Sequence, residues 1–208
     1  MLLRSLGLAD YERVWALQKD LLARRRKNEI EDTVLLCEHP PVYTRGVSSK
    51  APVPPSLPYP LHTVERGGDL TYHGPGQLVG YPILELSALG LRPRSYLRAL
   101  EEVLIEAARA LGLEAGTLRG FTGVWSGGRK IASIGVAVEG GVSYHGFALN
   151  VCCDLTPFSA IYPCNLQPDQ MSTLRLALGR AVGLEEAQAA VAQALRLRLG
   201  RIGECVGP

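Results

Sequence analysis

The sequence predicts an α/β fold of the α+β type, with a mixed, largely antiparallel sheet flanked by helices, and three observations carry that expectation. Paired glycines at Gly127-Gly128 and Gly140-Gly141 separate short strand-like runs, as the turns of a hairpin meander do. Longer stretches show helical spacing or strong helix formers, and helices mixed with hairpins point away from a doubly wound sheet. The 208 residues can bury one substantial core, so a single domain over 1–208 is expected.

Taken in order, the first helix starts at Tyr11. Val14, Trp15, Leu21 and Leu22 approximate helical spacing, and Asp10 is an N-cap candidate just ahead of them. The basic run Arg24-Arg25-Arg26-Lys27 ends that helix, where cations suit the helix dipole and stay solvated; a docking patch is the alternative. Thr33 to Cys37 reads as a buried strand. From His39 to Pro60 the chain is crowded with proline, which predicts a long surface loop. Leu78 to Leu84 reads as a strand, and Pro93 to Leu111 as a helix that opens on proline and stops at Gly112. Val124 to Ser126, Lys130 to Val138 and Val142 to Val151 read as the hairpin strands, and Leu184 to Leu199 as a strong terminal helix.

Composition narrows the function classes. A formal net charge of +2 argues against nucleic acid as a partner. The five cysteines (Cys37, Cys152, Cys153, Cys164 and Cys205) form no Cys-x-x-Cys pair, and no secretory leader precedes them. That pattern suits a reducing compartment, and a cytoplasmic protein is expected. No run approaches the roughly 20 apolar residues of a membrane span, so no membrane association is expected.

Candidate chemistry lies in three places. Arg66 to Gln77 packs four glycines, a proline, a histidine and an arginine into one stretch. Glycines let backbone N–H groups converge on a carbonyl oxygen that becomes negative in acyl transfer; a tight surface turn is the bland alternative. The stretch is neither a P-loop nor G-x-G-x-x-G, so a phosphate cradle is not expected. His39, His62, His73 and His145 stand in no metal-binding spacing, and neither metal nor cofactor is expected. Cys37, Cys152, Cys153 and Cys205 read as buried hydrophobes or tail, whereas Cys164 follows Pro163 in a loop-like stretch where a thiol can meet a substrate. Lys130 opens a strand after a glycine turn, and lysine, unlike arginine, can lose its proton.

Together these blocks resemble the octanoyltransferases of lipoate biosynthesis. The resemblance runs through EHPPVYTRG at Glu38, RGGDLTYHGPGQLVGYP at Arg66, TGVWSGGRKIASIGV at Thr122, HGFALNV at His145 and FSAIYPCNL at Phe158, in order and over most of the chain. It implies a fold similar to the biotin protein ligase catalytic domain. It also implies transfer of an octanoyl group from octanoyl-acyl carrier protein to a lysine of lipoyl domains, those of 2-oxo-acid dehydrogenase complexes and of the glycine cleavage carrier protein.

By the same resemblance Cys164 becomes the acyl thioester and Lys130 is its proton partner. The acyl site is lined by Arg66, Gly67, Gly68, Asp69, Leu70, Thr71, Tyr72 and His73, by Ser133, Ile134 and Gly135, and by His145, Gly146, Phe147 and Ala148. A monomer is expected. One departure stands out: Asn165 follows the cysteine where the family usually carries glycine, and asparagine tolerates positive φ better than most residues. The small residues Ala132, Gly135 and Ala148 are expected to leave room for a narrow acyl channel. The rival readings are a lipoate or biotin ligase that activates a free acid with ATP, and a non-catalytic module that docks carrier domains.

Overall fold

The computed structural model describes residues 1–161 and 168–200. The chain begins with β1 (Leu2–Leu8) and α1 (Tyr11–Arg26), followed by β2 (Thr33–Glu38), β3 (Val42–Gly46), β4 (Leu61–Val64), β5 (Leu70–His73) and β6 (Gln77–Ile83). Helix α2 (Pro93–Ala110) leads to β7 (Gly116–Leu118), β8 (Phe121–Ser126), β9 (Arg129–Glu139) and β10 (Val142–Asn150). Helices α3 (Leu174–Leu178) and α4 (Leu184–Leu199) follow.

Among the described residues, seven strands form one sheet in the order β1-β2-β6-β10-β9-β8-β7, and three form a smaller sheet in the order β4-β3-β5. β1 and β2 run parallel, as do β3 and β4, and the other pairs are antiparallel. The expected mixed, largely antiparallel sheet flanked by helices is therefore the observed one.

The large sheet is covered on both faces, and the period of two along each strand sorts side chains between them. On β2, Val34 and Leu36 join the core beneath α2 and α4, while Leu35 and Cys37 join the core beneath α1. On β10, Phe147 and Leu149 take the first side and Tyr144 and Ala148 the second. Burial on both faces is why these strands read as nearly continuous apolar runs. Asp10 caps α1, accepting the Arg13 N–H at 3.0 Å. The basic run at the end of α1 is tied down by acids: Arg25 pairs with Asp32 at 2.7 Å and Arg26 with Glu139. Among the described residues no helix is long and apolar enough to cross a membrane.

Besides β4, β7 and α3, which the sequence reading leaves unassigned, three elements differ from expectation. The supposed loop from His39 to Pro60 contains β3, because no proline lies between Pro41 and Pro52 and the strand can pair on both edges. Its Tyr43 is wholly buried and donates to the Pro157 carbonyl at 2.8 Å. β5 lies inside the glycine-rich stretch, where LTYH supplies four consecutive buried residues. β1 gave no signal, since LLRSLGL lacks β-branched residues and its ladder is interrupted before Leu8 by Gly7 at φ +62°.

Removing the cap should weaken α1. Asp10→Ala is expected to cost about 1 kcal/mol, read as a lower urea midpoint with an unchanged slope.

Candidate active site

The glycine-rich segment folds back over the large sheet between α1 and strands β6, β9 and β10. Beneath it lies a cavity of about 40 Å³, lined by Tyr11, Arg66, Gly67, Gly68, Thr71, His73, Val79, Tyr81, Ser133, Ile134, Gly135, His145, Gly146, Phe147 and Ala148. A second cavity of about 250 Å³ shares Gly67, Gly68, Ile134 and Gly135 with the first and adds Asp69, Leu97, Gly120, Phe121, Thr122, Lys130 and Val136. The two spaces are thus neighbours across the glycine loop.

Arg66 holds that loop in place. Its Nη1 donates to the Gly67 carbonyl at 2.9 Å, and its Nη2 donates to the Thr44 carbonyl at 2.8 Å, the Thr44 hydroxyl at 2.9 Å and the Asp69 carbonyl at 2.8 Å. The planar, many-donor guanidinium suits this task in a way an ammonium does not. Close approach also needs missing side chains. A Cβ at Gly46 would stand 2.2 Å from the Gly68 carbonyl oxygen, and one at Gly135 would stand 2.9 Å from that of Gly67. The space over Gly135 is therefore taken by the loop, which is also tied down by Gly67 N–H donating to the Val136 carbonyl at 3.0 Å.

A buried polar chain leads away from Arg66. The Thr44 hydroxyl lies 3.4 Å from His73 Nε2, and His73 Nδ1 lies 2.7 Å from Gln77 Oε1, an acceptor, so Nδ1 carries the proton. Gln77 Nε2 donates to Asn150 Oδ1 at 2.9 Å, and Asn150 Nδ2 donates to the Ser172 carbonyl at 3.0 Å. The Ser172 N–H then donates to the Lys130 carbonyl at 2.9 Å, linking both cavities.

The imidazoles here are neutral. Burial pushes His73 down to about 3, helped by neighbouring His39 and Arg66, and it lowers His39 as well. Burial likewise brings His145 down to about 4, although Glu65 opposes this. Tyr11 lies between His62 and His73, with ring centres 5.4 and 6.1 Å away.

Lys130 is 2% exposed on β9, and its Nζ lies 5.8 Å from the centre of the Trp125 ring. Gly123, at φ +128°, makes room for it: a Cβ there would stand 2.6 Å from Lys130 Cε. Beyond the undescribed stretch, Met171 bridges to the Lys130 backbone.

The structure brings twelve of the fifteen residues expected for the acyl site onto the first cavity, and Asp69 and Lys130 onto the second. Leu70 and Tyr72 instead pack with Tyr43 and Phe158 in the core under the small sheet. Ala132 also departs from expectation, because it faces the core under α2. Cys164 and Asn165, like Cys205, lie outside the described residues. Burial raises the Cys37 and Cys153 thiols to about 12, as suits inert core cysteines. Among the described residues no group of three or more His, Cys, Asp or Glu could hold a metal ion. Sequence reading missed Tyr11, Val79 and Tyr81 on the cavity wall; each reads as an ordinary helix or strand core residue, and only the tertiary fold gathers them.

The chain belongs to the lipoyl protein ligase A/B catalytic domain family, which matches residues 10–196. Within it, the octanoyltransferase of Geobacter sulfurreducens is 49% identical over 191 residues, covering 90% of this chain and 80% of that one. Among solved structures, lipoate-protein ligase A bound with ATP superposes with a TM-score of 0.72 at 16% identity, over 100% of this chain and 88% of that one. The biotin protein ligase of Aquifex aeolicus reaches 0.52 at 13% identity, over 96% and 69%. The fold expected from the sequence is thus shared with both ligase types.

The depressed histidines set a pH dependence. Their folded-state pKa values lie below the unfolded value of about 6.5, so between about pH 6.5 and 4 the unfolded chain binds protons that the folded chain refuses. Stability should fall with acid through that window, by up to about 1.4 kcal/mol per pH unit for each such histidine. His73→Gln should make the decline shallower in urea denaturation series, whatever it does to stability at neutral pH.

Proposed function

We propose that this chain is an octanoyltransferase that moves an octanoyl group from octanoyl-acyl carrier protein to a lysine of lipoyl domains through a thioester on Cys164. The observation that carries the reading is the buried Lys130 on a cavity shared with the glycine-rich loop, in a chain 49% identical to an octanoyltransferase. Met171, seven residues after Cys164 in the sequence, is bridged to Lys130.

In the first half-reaction the Cys164 thiolate attacks the carrier thioester carbonyl, backbone N–H groups of the glycine loop hold the oxyanion, and the carrier sulfur leaves as a thiol by taking a proton from the Lys130 ammonium, which becomes neutral. An ammonium on Lys130 favours the thiolate over the thiol, whose ordinary pKa is about 8.5. One thioester replaces another, so the step is nearly balanced. In the second half, the acceptor amine attacks the acyl carbon, the Cys164 sulfur leaves, and a neutral Lys130 takes the surplus proton. The acyl chain runs along the two adjoining cavities, and burying about seven methylene or methyl groups at about 0.8 kcal/mol each contributes on the order of 5 to 6 kcal/mol before ordering costs. In this reading the chain acts as a monomer in the cytoplasm.

Intact mass spectrometry after mixing with octanoyl-acyl carrier protein tests this directly. The wild type should gain one octanoyl increment, Cys152→Ser should keep it and Cys164→Ser should lose it; the reverse pattern would move the nucleophile. Carrier modification from ATP and free octanoate, with none from octanoyl-acyl carrier protein, would replace the reading with a ligase. Lys130→Arg keeps a charge but no usable base, and transfer to a lipoyl domain should drop roughly hundredfold or more.

A further inference from the structure

Three donors converge on Glu65, the residue before Arg66. Its Oε2 accepts from Trp15 Nε1 at 3.0 Å and from His145 Nε2 at 3.2 Å, and its Oε1 meets Lys19 Nζ at 3.0 Å. Despite the opposing effect of partial burial, these hydrogen bonds hold the carboxyl at about 2, so it is ionised and can only accept. Trp15 and Lys19 stand one turn apart on α1, and Lys19 Nζ lies 3.9 Å from the Trp15 ring centre.

Between them on α1 lies Gln18, which is fully buried. Its Oε1 accepts the backbone N–H of His145 at 2.9 Å, while its Nε2 has no hydrogen-bond partner among the described residues. Only the oxygen can accept an N–H, so the amide orientation is fixed, and one buried donor is left unsatisfied to achieve it. His145 has φ +53°, a conformation that among the described non-glycine residues only Asn28 shares. Asn28 closes an exposed helix end, whereas His145 sits inside β10, paired with Val136 of β9. Backbone strain of this kind persists only where its surroundings enforce it.

We infer that Glu65 and Gln18 are positioning residues that clamp His145 from two sides, Gln18 fixing its left-handed backbone and Glu65 fixing its ring as the Nε2–H tautomer. The ionised carboxylate cannot donate, so Nε2 carries the hydrogen and Nδ1 of the neutral ring keeps its lone pair. His145 and Gly146 both line the first cavity. The clamp therefore sets the shape of that wall and makes its imidazole a hydrogen-bond acceptor toward substrate. Its consequence for turnover rests on the octanoyl-transfer reading; the tautomer does not.

The test is nitrogen-15 NMR of the full chain with the His145 ring assigned, alongside steady-state transfer from octanoyl-acyl carrier protein to a lipoyl domain. In the wild type at neutral pH, Nε2 should be protonated and Nδ1 bare; an Nδ1–H or cationic ring would overturn the inference without any variant. Glu65→Leu should lose the single tautomer and lower kcat roughly tenfold or more with KM little changed, since small misplacements at a site are costly. Glu65→Gln, whose amide oxygen still accepts from Nε2, should restore both tautomer and rate. Gln18→Met should lower kcat while the Nε2–H tautomer stays. A folded Glu65→Leu with the wild-type tautomer and rate would overturn the clamp. A wild type that moves no octanoyl group would instead sink the octanoyl-transfer reading and leave the tautomer result standing.

Discussion

The site depends on a run of buried hydrogen bonds that starts at the Arg66 guanidinium and ends at the backbone of Lys130. Thr44, His73, Gln77, Asn150 and Ser172 are its intermediate members, and they belong to the small sheet, the large sheet and the segment after the undescribed stretch. Buried polar groups are costly when unpaired and strengthen one another when chained. The run therefore couples the placement of the glycine loop to that of the lysine. Arg66 supplies the cation at one end and spends its donors on carbonyl and hydroxyl oxygens. That use suits a residue that shapes a loop.

Sterics complete what the hydrogen bonds begin. The loop can lie against the sheet only because Gly46 and Gly135 present bare backbone to it. Deeper in the sheet, a Cβ at Gly80 would stand 2.2 Å from the Phe147 ring, and one at Gly146 would stand 2.1 Å from the Gly80 carbonyl oxygen. Phe147 thus fills the place of a missing side chain on its partner strand, as their register requires. Small residues here admit other parts of the protein first, and the cavities are what those contacts leave over.

Much of the fold was legible because period and punctuation agree with tertiary structure. Helix α1 begins after Asp10, α2 runs from Pro93 to just before Gly112, α4 spans the strong helix-forming run Leu184–Leu199, and the hairpin of β9 and β10 turns at Gly140-Gly141. β3 was hidden because prolines on both sides dominate its window, and β1 because its pairing comes from a distant strand, not from β propensity. The Arg66, Ser133 and His145 blocks could be found from the resemblance, since each is contiguous in sequence. Tyr11, Gln18 and Glu65 could not, because a helical tyrosine, glutamine and an isolated glutamate carry no spacing signal; their meaning arises only where α1 crosses β10.

The electrostatics of the first cavity follow from the same geometry. Arg66 places a permanent cation beside His73 and His145, and burial already penalises their charged forms, so both imidazoles stay neutral. Glu65 could have reversed this at His145. Its charge, however, is shared with Lys19 and a third hydrogen bond from Trp15, and it sits partly in solvent where its field is weak. An apolar chain meeting this wall would encounter uncharged rings, glycine backbone and Val79, with the cation turned toward carbonyl oxygens. Under the proposed function, neutralising a polar wall by burial and by directing its arginine toward carbonyl oxygens is what would let a pocket built from arginine and histidine favour a hydrocarbon over a charged ligand.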